Sequence, residues 1–203
     1  WSKYLSYILG NSLYATATVI SSYLLGLGLG SWIIARLRYH WRPFLMYGFI
    51  QVVVGIYGAI SLALFDGTQG LIKPLYETFH GHSSLFLFLL FLIFFTLITL
   101  PVILMGMTLP LLSGALKNKN FEEQGGFLYA LNTSGAVVGS LAIAYWVIPS
   151  AGLRLSSWLI GGTDVAIGAL ILIYFFARPQ RSPPPPIKSV KSPRVPGLLF
   201  FIA

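Results

Sequence analysis

The chain has 203 residues, of which 56% are hydrophobic, 15% aromatic and only 9% charged, with a formal net charge of +8. Water-soluble domains carry about 25% charged residues, so too few are present here to cover a water-facing surface, and a mean hydropathy of +0.80 points to a polytopic membrane protein. The basic residues sit in short loops between apolar runs rather than in one patch, which excludes nucleic acid as the partner; the absence of cysteine excludes disulfides, a thiolate metal site and a Cys nucleophile.

A helix needs about 20 apolar residues to cross the hydrocarbon of a bilayer. Five runs have that length: 12–35, 43–65, 84–106, 127–148 and 156–177. They are continuously apolar rather than alternating, so strands are not expected. The fold class is therefore all-α, a polytopic transmembrane helix bundle spanning 1–177.

The first run contains "GLGLGS", whose Gly26 and Gly30 stand four apart. A dinucleotide loop would need a third glycine where Ser31 stands, between a strand and a helix. A small-xxx-small face, where two helix backbones approach closely, is the favoured reading. After the second run, the outer loop carries His80 and His82, which are too few ligands for a metal site. The third run leads into "TLPVILMGMTLPLL", where Pro101 and Pro110 each remove a backbone hydrogen bond and are expected to kink or break the helix. Such breaks are tolerated in a membrane where neighbours satisfy the freed carbonyls.

The fourth run, "LYALNTSGAVVGSLAIAYWVI", sets Asn132, Thr133 and Ser134 together near its start, followed by Gly135 and Gly139. Two readings stay open: a close helix–helix seam, or a polar wall of a cytoplasm-facing cavity with Asn132 and Thr133 as candidate site residues. The fifth run holds Asp164, the one acidic residue within a span. At 1.5 Å per residue it lies about 12 Å from the helix start, near mid-membrane. An ionised carboxylate there costs about 2.5 kcal/mol or more unless it faces protein, water or a cation. Helix geometry puts it on one face with Gly161 and Gly168, so it is either a hydrogen-bonded structural residue or a counter-ion for an amine or a proton. "LIGGTDVAIG" is not a glycine-rich substrate loop, because apolar helix surrounds it.

The segment "RPQRSPPPPIKSVKSPRVP" is a basic, Pro-rich linker over 178–195, and 196–203 opens a further transmembrane helix. Arg36, Arg38, Arg42, Lys117, Lys119 and the linker's five basic residues fall on one side of the membrane, against Lys3, Lys73 and Arg154 on the other. The richer side is expected to be cytoplasmic, at a bacterial inner membrane. A start at Trp1 and a stop inside an apolar run are read as a piece cut from a longer chain.

Three blocks in order, "WSKYLSYILGNSLYATATVISSYLLGLGLGSWIIARL", "LPVILMGMTLPLL" and "LYALNTSGAVVGSLAIAYWVIPSAGLR", resemble the membrane portion of fused MFS/spermidine synthase-like proteins. The resemblance implies a major-facilitator-like half lacking its first helix, with the visible spans as helices two to six. It further implies missing transmembrane helices and a C-terminal aminopropyltransferase-like domain as partners. It brings no active site: no catalytic motif, cofactor or metal site is expected in this chain. Two function classes stay open. One is the membrane module of a spermidine synthase-like protein associated with polyamine biosynthesis. The other is a transporter half for a small solute, such as a polyamine.

Overall fold

The computed structural model describes residues 1–9, 12–36, 42–79, 83–115 and 121–177. The expected linker 178–195, the helix start at 196–203, His80, His82, Lys117 and Lys119 lie outside the described residues.

Every described element is helical: α1 (Ser2–Leu9), α2 (Ser12–Arg36), α3 (Pro43–Phe79), α4 (Ser83–Ala115), α5 (Phe121–Ala142), a π-helical turn (Ile143–Val147) and α6 (Ile148–Phe176). Among the described residues four stretches are long and apolar enough to cross a membrane: Leu13–Arg36, Pro43–Phe79, Ser84–Gly114 and Gly125–Phe176. The chain's outward surface is apolar, with Leu24, Phe49, Ile56, Ile60, Val138 and Trp146 all exposed. Large contiguous patches of this kind are rare on water-soluble monomers and are what contact with lipid tails requires.

Two features of the helices extend the expected picture. The runs 127–148 and 156–177 lie within one stretch of 52 residues, Gly125–Phe176, whose helical geometry is interrupted between them. At 1.5 Å per residue it would measure about 78 Å if straight, more than twice the roughly 30 Å of hydrocarbon. The backbone leaves helical geometry inside it at Gly152 (φ 75°, ψ 171°), where two helices meet at a kink. That conformation suits glycine almost alone, and Pro149 just before it cannot donate to the helix. Second, α3 continues past residue 65 to Phe79 because nothing after the apolar run stops it; even Pro74 lies within the helix.

Packing follows two glycine seams. In the first, α2 runs parallel to α4: a Cβ on Gly26 would strike Val102, and Gly30 lies against the backbones of Ile103 and Gly106. In the second, α3 runs antiparallel to α6: Gly48 opposes Gly168, and Gly55 opposes Gly161. Phe44 stacks on Phe175 at 4.7 Å at one end of this seam, and Arg154 pairs with Asp66 at 3.0 Å at the other. Between the seams, α3 meets α4 across an apolar core that includes Leu62, Phe65, Phe94, Ile98 and Val102. Phe65 and Phe94 meet there edge to face at 5.8 Å.

Pro101 and Pro110 do not break α4, which is helical from Ser83 to Ala115. A proline at i leaves the carbonyl of i−4 without its donor. For Pro101 that carbonyl is Leu97, and the Tyr57 hydroxyl of α3 donates to it at 2.7 Å. For Pro110 it is Gly106, and the Ser31 hydroxyl of α2 donates to it at 3.1 Å. Both orphaned acceptors are thus filled from neighbouring helices, the condition a proline inside a membrane helix has to meet.

Candidate functional site

Residues four apart share a helix face, and on α3 the face bearing Tyr47, Gln51 and Gly55 is turned to α6. On α6 the face bearing Gly161, Asp164 and Gly168 is turned back to it. With no side chains at Gly55 and Gly161 the two backbones come close, and the longer polar groups one turn away meet. The Gln51 amide Nε2 donates to Asp164 Oδ1 at 2.9 Å. Tyr47 stands one turn before Gln51 on the same face of α3. All three are half-buried.

The remaining polar contacts of this seam are spent on structure. The Ser157 hydroxyl donates to the Gly58 carbonyl at 2.6 Å, and the Thr163 hydroxyl donates to the Leu159 carbonyl of its own helix. Arg154 reaches Asp66, with side chains 80% and 38% exposed, so it is not a counter-charge for Asp164. Beside the kink lies a groove of about 240 Å³ lined by Trp1, Leu62, Ile143, Leu153 and Ile160, with Ser156 and Ser157. Both serine hydroxyls are donated to carbonyls, so the described wall of the groove is largely apolar. Among the described residues no group of three or more His, Asp or Glu stands ready to hold a metal ion.

The structure brings Asp164 to Gln51 and does not bring it to Asn132 or Thr133. Those two are exposed on α5, which packs on α4 and makes no substantial contact with α3 or α6 among the described residues. Among the described residues a Cβ at Gly135 or Gly139 would meet nothing within 4 Å, whereas Gly26 and Gly30 press on α4. Gln51 and Tyr47 did not emerge from the sequence reading, although an amide inside the apolar run "FIQVVVG" was a signal for Gln51. Gly48 and Gly55, seven apart like Gly161 and Gly168, were another.

Set against known proteins, the chain is 26% identical over 176 residues to polyamine aminopropyltransferase 1 of Streptomyces coelicolor, covering 85% of this chain and 30% of that protein. It is 28% identical over 176 residues to polyamine aminopropyltransferase 2 of Ralstonia nicotianae, covering 85% of this chain and 31% of the relative. It is 28% identical over 163 residues to the polyamine aminopropyltransferase of Leptospira interrogans, covering 80% and 29%. The chain is similar to polyamine aminopropyltransferases. It spans about 30% of the length of these curated relatives. No family model matches the chain, and no solved structure matches it.

Proposed function

We propose that this chain is the integral membrane module of a spermidine synthase-like protein associated with polyamine biosynthesis, with the catalytic site carried by another part of that protein. The observation that carries the reading is the match of 85% of the chain to about 30% of several polyamine aminopropyltransferases, together with four helices apolar enough to sit in a bilayer. In this reading the bundle is a major-facilitator-like half in the bacterial inner membrane. Its basic loops face the cytoplasm, and the lipid bilayer, further transmembrane helices and an aminopropyltransferase-like domain are its partners. Nucleic acid and cofactors have no part in it.

The test is expression of the uninterrupted gene with and without residues 1–177, followed by membrane fractionation and assay of aminopropyl transfer to a diamine. Activity should sediment with membranes when these residues are present and turn soluble when they are removed. No transfer by the complete protein, or the same distribution in both cases, refutes the reading. The second reading, a half of a solute transporter, draws on the Gln51–Asp164 pair within the apolar seam; ion and substrate pathways are where such groups are retained in membranes.

A further inference from the structure

The geometry points to a binding site for a primary ammonium group in the α3–α6 seam, formed by Asp164, Gln51 and Tyr47. Asp164 Oδ1 is occupied by the Gln51 amide N–H. Among the described residues neither side chain has another partner, and the Tyr47 hydroxyl has none. Three oxygens are therefore unspent along one seam: Asp164 Oδ2, the Gln51 amide oxygen and the Tyr47 phenol oxygen. The amide orientation itself supports this arrangement, since an N–H given to the carboxylate leaves the amide oxygen as an acceptor.

The number and kind of these groups select the ligand. An alkylammonium carries one positive charge and three N–H donors, matching one carboxylate and two neutral oxygens. A bare proton would satisfy a single carboxylate oxygen and leave the amide and phenol unused. A divalent cation such as Ca²⁺ takes about six to eight oxygens, and no second acidic or His group stands here among the described residues. A guanidinium carries five donors in a planar fork, more than these oxygens accept. All three residues are half-buried, and the apolar helices around them lower the effective dielectric that would otherwise screen the charge.

The ammonium site stands on this geometry alone; only the choice of a diamine as probe rests on the proposed link to polyamine biosynthesis. The experiment is equilibrium binding of radiolabelled putrescine, with unlabelled butylamine as competitor, to the full chain in lipid nanodiscs at constant ionic strength. Asp164→Asn should weaken binding by about 10- to 100-fold, the worth of a hydrogen bond to a charged group. Tyr47→Phe, which keeps the packing volume, should weaken it by about two- to tenfold. Asp66→Asn, at the far end of the seam, should leave it unchanged. Saturable binding with that order of effects supports the site. No saturable binding, or equal affinity in the parent, Asp164→Asn and Tyr47→Phe, overturns it. Butylamine competing as well as unlabelled putrescine keeps the ammonium site and counts against the polyamine reading alone, so the two fail separately.

Discussion

Replacing Gly55 by Ala tests the α3–α6 seam with a single methyl group. The added Cβ would lie 2.6 Å from the Gly161 carbonyl oxygen, 2.7 Å from the Val165 amide nitrogen and 2.9 Å from Asp164 Cβ. The first two are backbone atoms, so no rotamer change relieves them and the helices themselves must part. Reaching an ordinary contact of about 3.4 Å needs a shift of about 0.8 Å. The same shift stretches the Gln51–Asp164 bond from 2.9 Å beyond hydrogen-bonding range. Overpacking costs about 1–3 kcal/mol and the lost interhelical bond about 0.6–1.7 kcal/mol, offset by about 1 kcal/mol of better helix propensity. The net is a loss of about 1–4 kcal/mol. Gly58→Ala is the matched control, because its Cβ would meet only Gly161 Cα at 3.8 Å. Detergent-solubilised protein followed by circular dichroism during thermal melting gives the readout. Gly55→Ala should melt clearly below Gly58→Ala; equal melting of the two refutes a close-packed seam at this point.

Tyr57→Phe should destabilise by about 0.6–1.7 kcal/mol, because it strips the donor from the Leu97 carbonyl. Pro101→Ala, which restores the helix's own N–H, should reduce that loss in a double-mutant cycle, and strict additivity would contradict the pairing. Gly139→Leu should leave the chain's own melting unchanged, since a Cβ there would meet no other helix within 4 Å among the described residues; a clear fall would reveal a partner packed on α5. Cysteine placed at Ser150 should react with an impermeant reagent added outside intact cells, and cysteine at Asn120 should not; labelling of position 120 would reverse the orientation.

The helical class was legible because apolar content, run length and lack of alternation all act locally along the chain. Asp164's face was equally legible, since the three- and four-residue offsets to Gly161 and Gly168 follow from helix periodicity alone. Its partner was not. Gln51 is 113 residues away, and which helix face meets which is decided by packing across the whole bundle. The two small-residue pairs show the same limit. Gly26–Gly30 and Gly135–Gly139 have identical spacing, yet the first lies against α4, whereas a Cβ on the second would meet nothing within 4 Å among the described residues. Spacing states that a close approach is sterically permitted; the identity of the neighbour is tertiary information. The prolines divide likewise. Pro101 and Pro110 announce two orphaned carbonyls in the sequence, while Tyr57 and Ser31 could be named as donors only once the helices were placed. Between the runs 127–148 and 156–177 the interruption takes the form of a single non-helical residue, Gly152, a detail that run length alone does not specify.

In the membrane reading proposed above, the hydroxyls that fill the proline-freed carbonyls also bear on how the chain enters the bilayer. Synthesis runs from the N-terminus, so Ser31 and Tyr57 are delivered before the segment holding Gly106 and Leu97 emerges from the ribosome. A solitary α4 would carry two unsatisfied acceptors into hydrocarbon, each costing several kcal/mol. With α2 and α3 already inserted, the donors are waiting when it arrives. Insertion of α4 is then templated by its predecessors, and a nascent chain arrested beyond Ala115 should photocrosslink from position 97 to α3 in the parent sequence and less in Tyr57→Phe. Equal crosslinking in the two would remove the template. Order along the chain is in this sense part of the packing: transposing α4 ahead of α2 and α3 would preserve every contact on paper and take away the helpers its prolines need at the moment of entry.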